Sequence, residues 1–313
     1  MNSCFSVILI TMKLSILSLI AVSGAVSATP IATQLLSLQG GINTRYSSDI
    51  TRNVFVKGIH SHNDYWRDVP LYTALSLGVV SVEADVWHYD GDETIYVGHH
   101  EAALNAQRTF QNLYLDPLID ILNQNNPNNT FTADQTTVNG VWDTNSGQTT
   151  YLFVDVKTDG NETWPYIVDA LKPLNDKGYL TYYNGSTINY GPITVIGTGN
   201  TPYEYVSAQD NRYYFYDGPI ATLNSSYPNT LNPIASGSLA QIVGDIAPSG
   251  LNSTQLALVK KLIDNAHEAD IMTRFWEVAW WPVATRNTLY RQLLALGTDL
   301  LNADDLELAS KFY

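Results

Sequence analysis

The chain has a single cysteine, Cys4, in 313 residues. That near-absence excludes a disulfide scaffold and any cysteine-built zinc or iron–sulfur site. A metal in this protein would have to be held by oxygen and imidazole. Charge is scarce as well, at 15% of residues, and it is lopsided. Sixteen Lys and Arg face thirty Asp and Glu, for a net charge of −14. A surface so poor in cations repels phosphate backbones, which argues against nucleic-acid binding through a basic face. There is no Gly-x-Gly-x-x-Gly fingerprint and no Walker loop to support a nucleotide site. Beyond the first 28 residues no apolar run is long enough to span a bilayer, so no stable membrane insertion is expected. What is plentiful is apolar and aromatic surface: 45% hydrophobic residues, with 20 Tyr and 7 Trp. Disorder is therefore a poor reading, and the length suits one large domain or two small ones.

Residues 1–28 hold no Asp or Glu and one basic residue, Lys13. An apolar run from Leu14 to Val22 follows, then small residues ending Val26-Ser27-Ala28. A basic flank, a short apolar core and a small-x-small exit describe a secretory signal peptide, with Met12 as an alternative start. Asn-x-Ser/Thr sequons at Asn128, Asn161, Asn184, Asn224 and Asn252 add candidate N-glycan acceptors. The expectation is a secreted, extracellular glycoprotein with three parts: a signal peptide over 1–28, an N-terminal extension over 29–52, and a catalytic domain over 53–313.

Eight short apolar or β-branched runs recur along the rest. They cover 54–59, 79–86, 151–156, 193–196, 213–216, 242–246, 271–276 and 299–302. Near-continuous apolar strands are what a parallel sheet buried on both faces requires. Helical patterns lie between them, over 70–77, 253–263 and 288–296, the first and last ending at Gly78 and Gly297 as C-caps. The stretch from Asn123 to Gln148, rich in Asn, Thr, Gly and Asp, reads as a surface excursion. The fold class expected is α/β, a single (β/α)8 TIM barrel, with a doubly wound open sheet as the alternative.

Active sites of such barrels lie at the C-terminal ends of the strands. The first strand runs into His60-Ser-His62-Asn63-Asp64-Tyr65. The second ends Glu83-Ala-Asp85, a short run then delivers His99-His100, and the third ends Asp155-Val-Lys157. Polar residues two apart in a strand share a face, here the barrel mouth. Three carboxylates from adjacent strands repel one another and persist best around a divalent cation. Asn63, Glu83, Asp85 and Asp155 form an all-oxygen set, which favours one Mg²⁺ or Ca²⁺ over zinc. The competing reading is that Glu83 or Asp155 merely pairs with Lys157 or an arginine. His88 and His267 fall outside strand ends and are read as structural.

The stretch from His60 to Leu118 resembles the superfamily of glycerophosphodiester phosphodiesterases and phosphatidylinositol-specific phospholipases C. The resemblance is carried by His62-Asn63, Glu83-x-Asp85 and Val97-Gly-His99. Asp155-Val-Lys157-Thr158 is most similar to the sphingomyelinase D branch. Further along, Arg108-Thr-Phe-Gln111 and Leu301-Asn-Ala-Asp-Asp-Leu306 resemble the fungal altered inheritance of mitochondria protein 6 family, over nearly the whole chain. The resemblance implies a PLC-like phosphodiesterase barrel that holds one divalent cation and uses His62 and His99 as acid and base, with Lys157 nearby. Two positions depart from the pattern: residue 100 is His where Asp is usual, and Glu277 after Trp276 has no assigned role.

The function expected is metal-dependent hydrolysis of a glycerol-, inositol- or sphingo-type phosphodiester, lipid or small molecule. Two rivals stand beside it. A secreted glycoside hydrolase would also use an aromatic-rich barrel and two carboxylates but would not need two strand-end histidines. A non-catalytic barrel binding protein would show no turnover.

Overall fold

The computed structural model describes residues 50–313. Its strands, in chain order, begin with β1 (Lys57–Ser61), β2 (Val79–Trp87), β3 (Tyr96–Val97) and β4 (Thr150–Val156). A small hairpin of β5 (Tyr182–Tyr183) and β6 (Ile188–Asn189) precedes β7 (Ile193–Gly199). The last four are β8 (Phe215–Pro219), β9 (Ile234–Ser238), β10 (Met272–Trp276) and β11 (Leu300–Ala303). The order β1-β11-β10-β9-β8-β7-β4-β2, closed by pairing of β1 with β2, is an eight-stranded parallel barrel. The short β3 adds antiparallel to β2 outside the barrel. The expected (β/α)8 barrel is therefore the architecture.

Register explains how the strands serve both core and site. Ser81 pairs with Tyr151, Glu83 with Phe153 and Asp85 with Asp155. The period of two then gives one inward column per strand. On β2 that column is Ser81, Glu83 and Asp85; on the other strands the columns begin apolar, and Tyr151, Phe153, Ile196, Phe215, Ile234 and Leu300 pack together in the barrel with Val80. Towards the C-terminal ends they turn polar, through Asp155, Thr198, Asp217, Ser236 and Asn302. A barrel floor of packed side chains and a mouth of polar ones follow from the same alternation.

The helices cover the outside. They include α1 (Tyr72–Ser76), α2 (Asp116–Asn125), α3 (Gly160–Asp176), α4 (Tyr203–Ser207) and α5 (Leu239–Val243). The C-terminal third adds α6 (Ser253–Glu268), α7 (Val283–Leu296) and α8 (Leu306–Ala309). Asn252 caps α6, accepting from the backbone N–H of Thr254 and Gln255, while the Gln255 side chain returns a bond to the Asn252 N–H. Such a capping box satisfies end groups the helix cannot satisfy itself. Gly78 and Gly297 end α1 and α7 with positive φ of 83° and 95°, a conformation costly for residues with a Cβ.

Two expectations need correction. The apolar run 242–246 is not a strand: the sixth barrel strand is β9, and residues 239–243 form α5. The true strand, Ile-Ala-Ser-Gly-Ser, is too poor in β-branched residues to announce itself. The excursion over 123–148 also returns to the core, because Val141 and Trp142 are fully buried and Thr51 donates to the Val141 carbonyl. The signal-peptide segment and nearly all of the 29–52 extension lie outside the described residues. Among the described residues no helix is long and apolar enough to cross a membrane.

Candidate active site

β1 reaches the mouth through a register shift between Lys57 and His60, so His60 sits opposite Ser81 of β2. A bulge of this kind re-aims the side chains that follow it. Both imidazoles of the motif face Glu83: His60 Nε2 is 3.7 Å and His62 Nε2 3.9 Å from Oε2. They differ in depth. His60 is fully buried, with Nδ1 2.7 Å from Ser81 Oγ and Nε2 bonded to Arg274. Burial and the adjacent guanidinium push its pKa down to about 3, so it is neutral at pH 7. His62 is about a third exposed and bonds through Nδ1 to Asp304 Oδ1 at 2.9 Å. Burial lowers its pKa, but the bond to Asp304 and the charge of Glu83 outweigh that, and the net shift is upward.

Asn63 turns the chain at φ 48°, in the left-handed region that Asn tolerates better than most residues. This turn aims its own N–H at Glu83 Oε2, 2.9 Å away. Its side-chain oxygen accepts from the Tyr65 hydroxyl. The Tyr65 hydroxyl oxygen also lies 3.3 Å from His99 Nδ1. His99, delivered by the turn after β3, lies 3.1 Å from Asp85 Oδ2 through the same Nδ1. Each mouth histidine is thus held by a carboxylate at Nδ1. A carboxylate accepts only, so Nδ1 carries the proton and Nε2 is left for proton transfer.

Glu83, Asp85 and Asp155 each offer an oxygen, and these oxygens lie within 4.8 Å of one another. The competing reading from sequence is also present in part. Arg274, itself buried, lies 3.3 Å from Glu83. Lys157 bridges Asp85 at 2.9 Å and Asp155 at 2.8 Å. Two cations do not balance the carboxylates, however, because buried Asp217 also faces Arg274, at 3.9 Å. Burial pushes Asp155 up to about 6 despite Lys157, with Asp85 and Glu83 adding to the rise. Asp85 is raised too, first by burial and then by Glu83. Its Oδ1 is buried with no hydrogen-bond partner. An orphaned carboxylate oxygen beside two repelling neighbours is a donor set that fits a hard divalent cation. Gly199 makes room for the cluster: at φ 63°, a Cβ there would fall 2.0 Å from Asp155 Oδ1.

The structure brings His62, Asn63, Glu83, Asp85, His99, Asp155 and Lys157 around one cavity of about 440 Å³. His100 stacks edge-on against His99, ring centres 4.4 Å apart. His88 stacks on Tyr166, and His267 bonds Asp299 at 2.8 Å, both away from the cavity. Glu277, with φ 52°, bonds Ser238 and lines a neighbouring cavity with Trp276. Sequence reasoning gave no role to Tyr65, Asp304, Arg274 and Asp217. Asp304 was accessible, being the first residue beyond β11, and Arg274 stands two residues before Trp276 in β10.

The fold and this set of residues define the class: a phosphodiesterase-type barrel with a two-histidine, three-carboxylate mouth. Residues 48–217, more than half of the chain, match the family described as "AIM6-like phosphodiesterase domain". An altered inheritance of mitochondria protein 6 homolog of Arthroderma benhamiae is 46% identical, over 96% of this chain and all of that protein. The altered inheritance of mitochondria protein 6 of Lachancea thermotolerans is 36% identical, over 83% of this chain and 66% of its own length. That of Saccharomyces cerevisiae strain S288c is 34% identical, over 83% and 72%. A looser structural likeness, with TM-score 0.43 and 11% identity over 86% of this chain and 99% of the other, is to a phosphatidylinositol-specific phospholipase C from Listeria monocytogenes. This chain belongs to the altered inheritance of mitochondria protein 6 family.

Membership corrects the expectation of secretion. The relatives are named for altered inheritance of mitochondria, which points to a mitochondrial link and not to export. Three of the five sequons have a local structural reason as well. Asn184 accepts from the N–H groups of Ser186 and Thr187, Asn224 from that of Ser226, and Asn252 caps α6. Asn followed closely by Ser or Thr is a turn and cap pattern in its own right.

Proposed function

We propose that this barrel hydrolyses a phosphodiester of the glycerol, inositol or sphingoid type by histidine acid–base catalysis. The observation that carries the reading is the pair of mouth histidines. Each is oriented at Nδ1 by its own carboxylate, and they flank one cluster of three carboxylates and Lys157. One Nε2 takes the proton of the attacking hydroxyl and the other delivers a proton to the departing oxygen. Lys157, held in place by Asp85 and Asp155, presents an ammonium to the non-bridging phosphoryl oxygens. Those two carboxylates and burial compete over its pKa and the carboxylates win, so Lys157 stays charged. Tyr65 ties Asn63 to His99 and fixes their relative position. Glu83, Asp85 and Asp155, with Asn63 beside them, would hold one divalent cation, Mg²⁺ or Ca²⁺, which supplies positive charge against the developing phosphoryl charge. Arg274 and neutral His60 brace Glu83 from below.

The test is turnover of a chromogenic phosphodiester, with and without EDTA and with Mg²⁺ or Ca²⁺ restored. Hydrolysis that EDTA stops and a divalent ion restores supports the reading. Hydrolysis indifferent to EDTA removes the cation from it. No turnover of any diester, with the fold intact, refutes catalysis.

A further inference from the structure

The mouth is wider than the catalytic cavity. A second cavity, of about 370 Å³, shares His99 with it and is lined by Tyr65, Trp66, Arg67, Asp68 and Arg108. Two guanidinium groups line one small space, in a chain with a net charge of −14. Among the described residues, neither lies within ion-pair distance of a carboxylate, and Asp68 is the single acidic residue of the lining. Instead both rest on backbone carbonyls, those of the β1 turn and, for Arg67, also that of Ala303 in β11 at 3.4 Å. Arg108 donates to the Tyr65 carbonyl, and Arg67 to the carbonyls of His62 at 3.2 Å and Asn63 at 3.5 Å. Arg67 Nε is buried without a partner. A guanidinium has more N–H donors than these bonds engage, in a planar fork suited to a phosphate or carboxylate. Two half-buried guanidinium groups, one of them answered only beyond ion-pair distance by buried Asp64, stand beside the catalytic cavity with N–H donors to offer an anion.

We propose that this cavity is the subsite for a phosphate monoester carried by the substrate on the arm that lies past His99, with Arg108 and Arg67 as its ligands. This rests on the phosphodiesterase reading and deepens it: the substrate class becomes a phosphodiester with a second, dianionic phosphate on one alcohol. The catalytic phosphate lies among Lys157 and the histidines, the second phosphate between the arginines.

The experiment compares kcat/KM for glycerophosphoinositol and glycerophosphoinositol 4-phosphate, which differ by one phosphate monoester. Charge-assisted bonds from a guanidinium predict a preference for the second of about 10- to 100-fold. The preference should fall as ionic strength rises. Arg108→Gln should bring the ratio close to one, Arg108→Lys should keep part of it, and Arg286→Gln, in the cavity lined by Trp276 and Glu277 and outside this one, should leave it in place. A wild-type ratio near one overturns the subsite even if both diesters are cleaved. If neither diester is cleaved, the phosphodiesterase reading fails separately. The subsite is then tested by calorimetry with inorganic phosphate: binding abolished by Arg108→Gln but kept by Lys157→Gln supports it, and the reverse pattern overturns it. Free phosphate bound at Arg108, with no preference between the two diesters, also overturns it, because the anion is then not part of the substrate. Should Arg108→Gln fail to fold, Arg108→Lys and the salt dependence of the wild-type ratio decide.

Discussion

Asp304→Asn tests the half of the mechanism that the sequence did not announce. Asp304 Oδ1 stands 2.9 Å from His62 Nδ1, with the aspartate side chain 54% exposed and the imidazole 31%. Two effects follow from removing its charge. The first is on proton affinity. His62 sits above its ordinary pKa because Asp304 and Glu83 overcome burial, so loss of Asp304 lowers it. The pair is solvent-screened, and exposed ion pairs of this kind are worth about 0.2–1 kcal/mol, so the downward shift is modest. The second effect is on orientation. An asparagine can present its NH₂ to Nδ1 and favour the wrong tautomer, lowering kcat/KM by a further factor of about fivefold for about 1 kcal/mol. The assay is the pH profile of kcat/KM on one phosphodiester for wild type and Asp304→Asn. If His62 is the base, it must be neutral to act, and the acidic limb moves to lower pH. If His62 is the acid, it must be protonated, and the alkaline limb moves to lower pH. The variant therefore assigns the two roles that symmetry of the site leaves open. Limbs that stay fixed, or a limb that moves to higher pH, would refute the coupling of Asp304 to a catalytic His62.

His62→Ala and His99→Ala should each lower kcat by at least about 100-fold with little change in melting temperature, whereas His100→Ala should have the smallest effect of the mouth histidines. Near wild-type rates in both of the first two variants would end the two-histidine mechanism. A divalent cation at about 100 times its Kd should stabilise the fold by about 2.7 kcal/mol, read as a raised melting temperature, and Asp85→Asn should abolish that rise along with EDTA-sensitive turnover. An equal rise in the variant would remove Asp85 from the cation site. In metal-free buffer, wild-type stability should decline relative to His60→Gln as pH falls from 6.5 towards 4. The folded His60 holds off its proton to about pH 3 while the unfolded one takes it up near 6.5, so the difference should narrow by about 1.4 kcal/mol per pH unit. Parallel curves from urea titrations at each pH would show that His60 is not held neutral by the fold.

Much of the barrel was legible because a parallel strand is buried on both faces and therefore spells itself in apolar residues, as Val79–Val86 and Tyr151–Val156 do. The paired polar residues at 83 and 85, or 155 and 157, were legible for the complementary reason: a charge at the end of such a run has no core role. Ile234-Ala-Ser-Gly-Ser238 escaped because its inward column is already polar at Ser236, which bonds Arg274 Nε at 3.0 Å. Its strand pattern was surrendered to the site. Asp304 and Arg274 escaped because their partners lie 242 and 191 residues away, at His62 and Glu83. Only closure of the barrel, by pairing β1 with both β2 and β11, makes them neighbours.

That closure also explains why the mouth tolerates so much unlike charge in so little space. Arg274 spans the floor between Glu83 and Asp217, with its guanidinium carbon 4.7 Å above the Phe153 ring centre. A buried guanidinium is stable only with its donors satisfied, and here Ser236, His60 and Glu83 accept from it while Asp217 adds a negative charge at 3.9 Å. The same arrangement keeps His60 neutral and draws Glu83 well below the ordinary carboxylate range, because His60 and Arg274 outweigh the cost of its burial. His60 and Arg274 thus favour the anion of Glu83, while burial pushes Asp155 above it up to about 6. The floor sets one permanent negative charge, and the rim supplies two that are reluctant to ionise together without an added cation. Under the proposed function, Glu83, Asp85 and Asp155 would hold a divalent cation whose charge relieves that repulsion, while Lys157, held by Asp85 and Asp155, faces the phosphoryl oxygens.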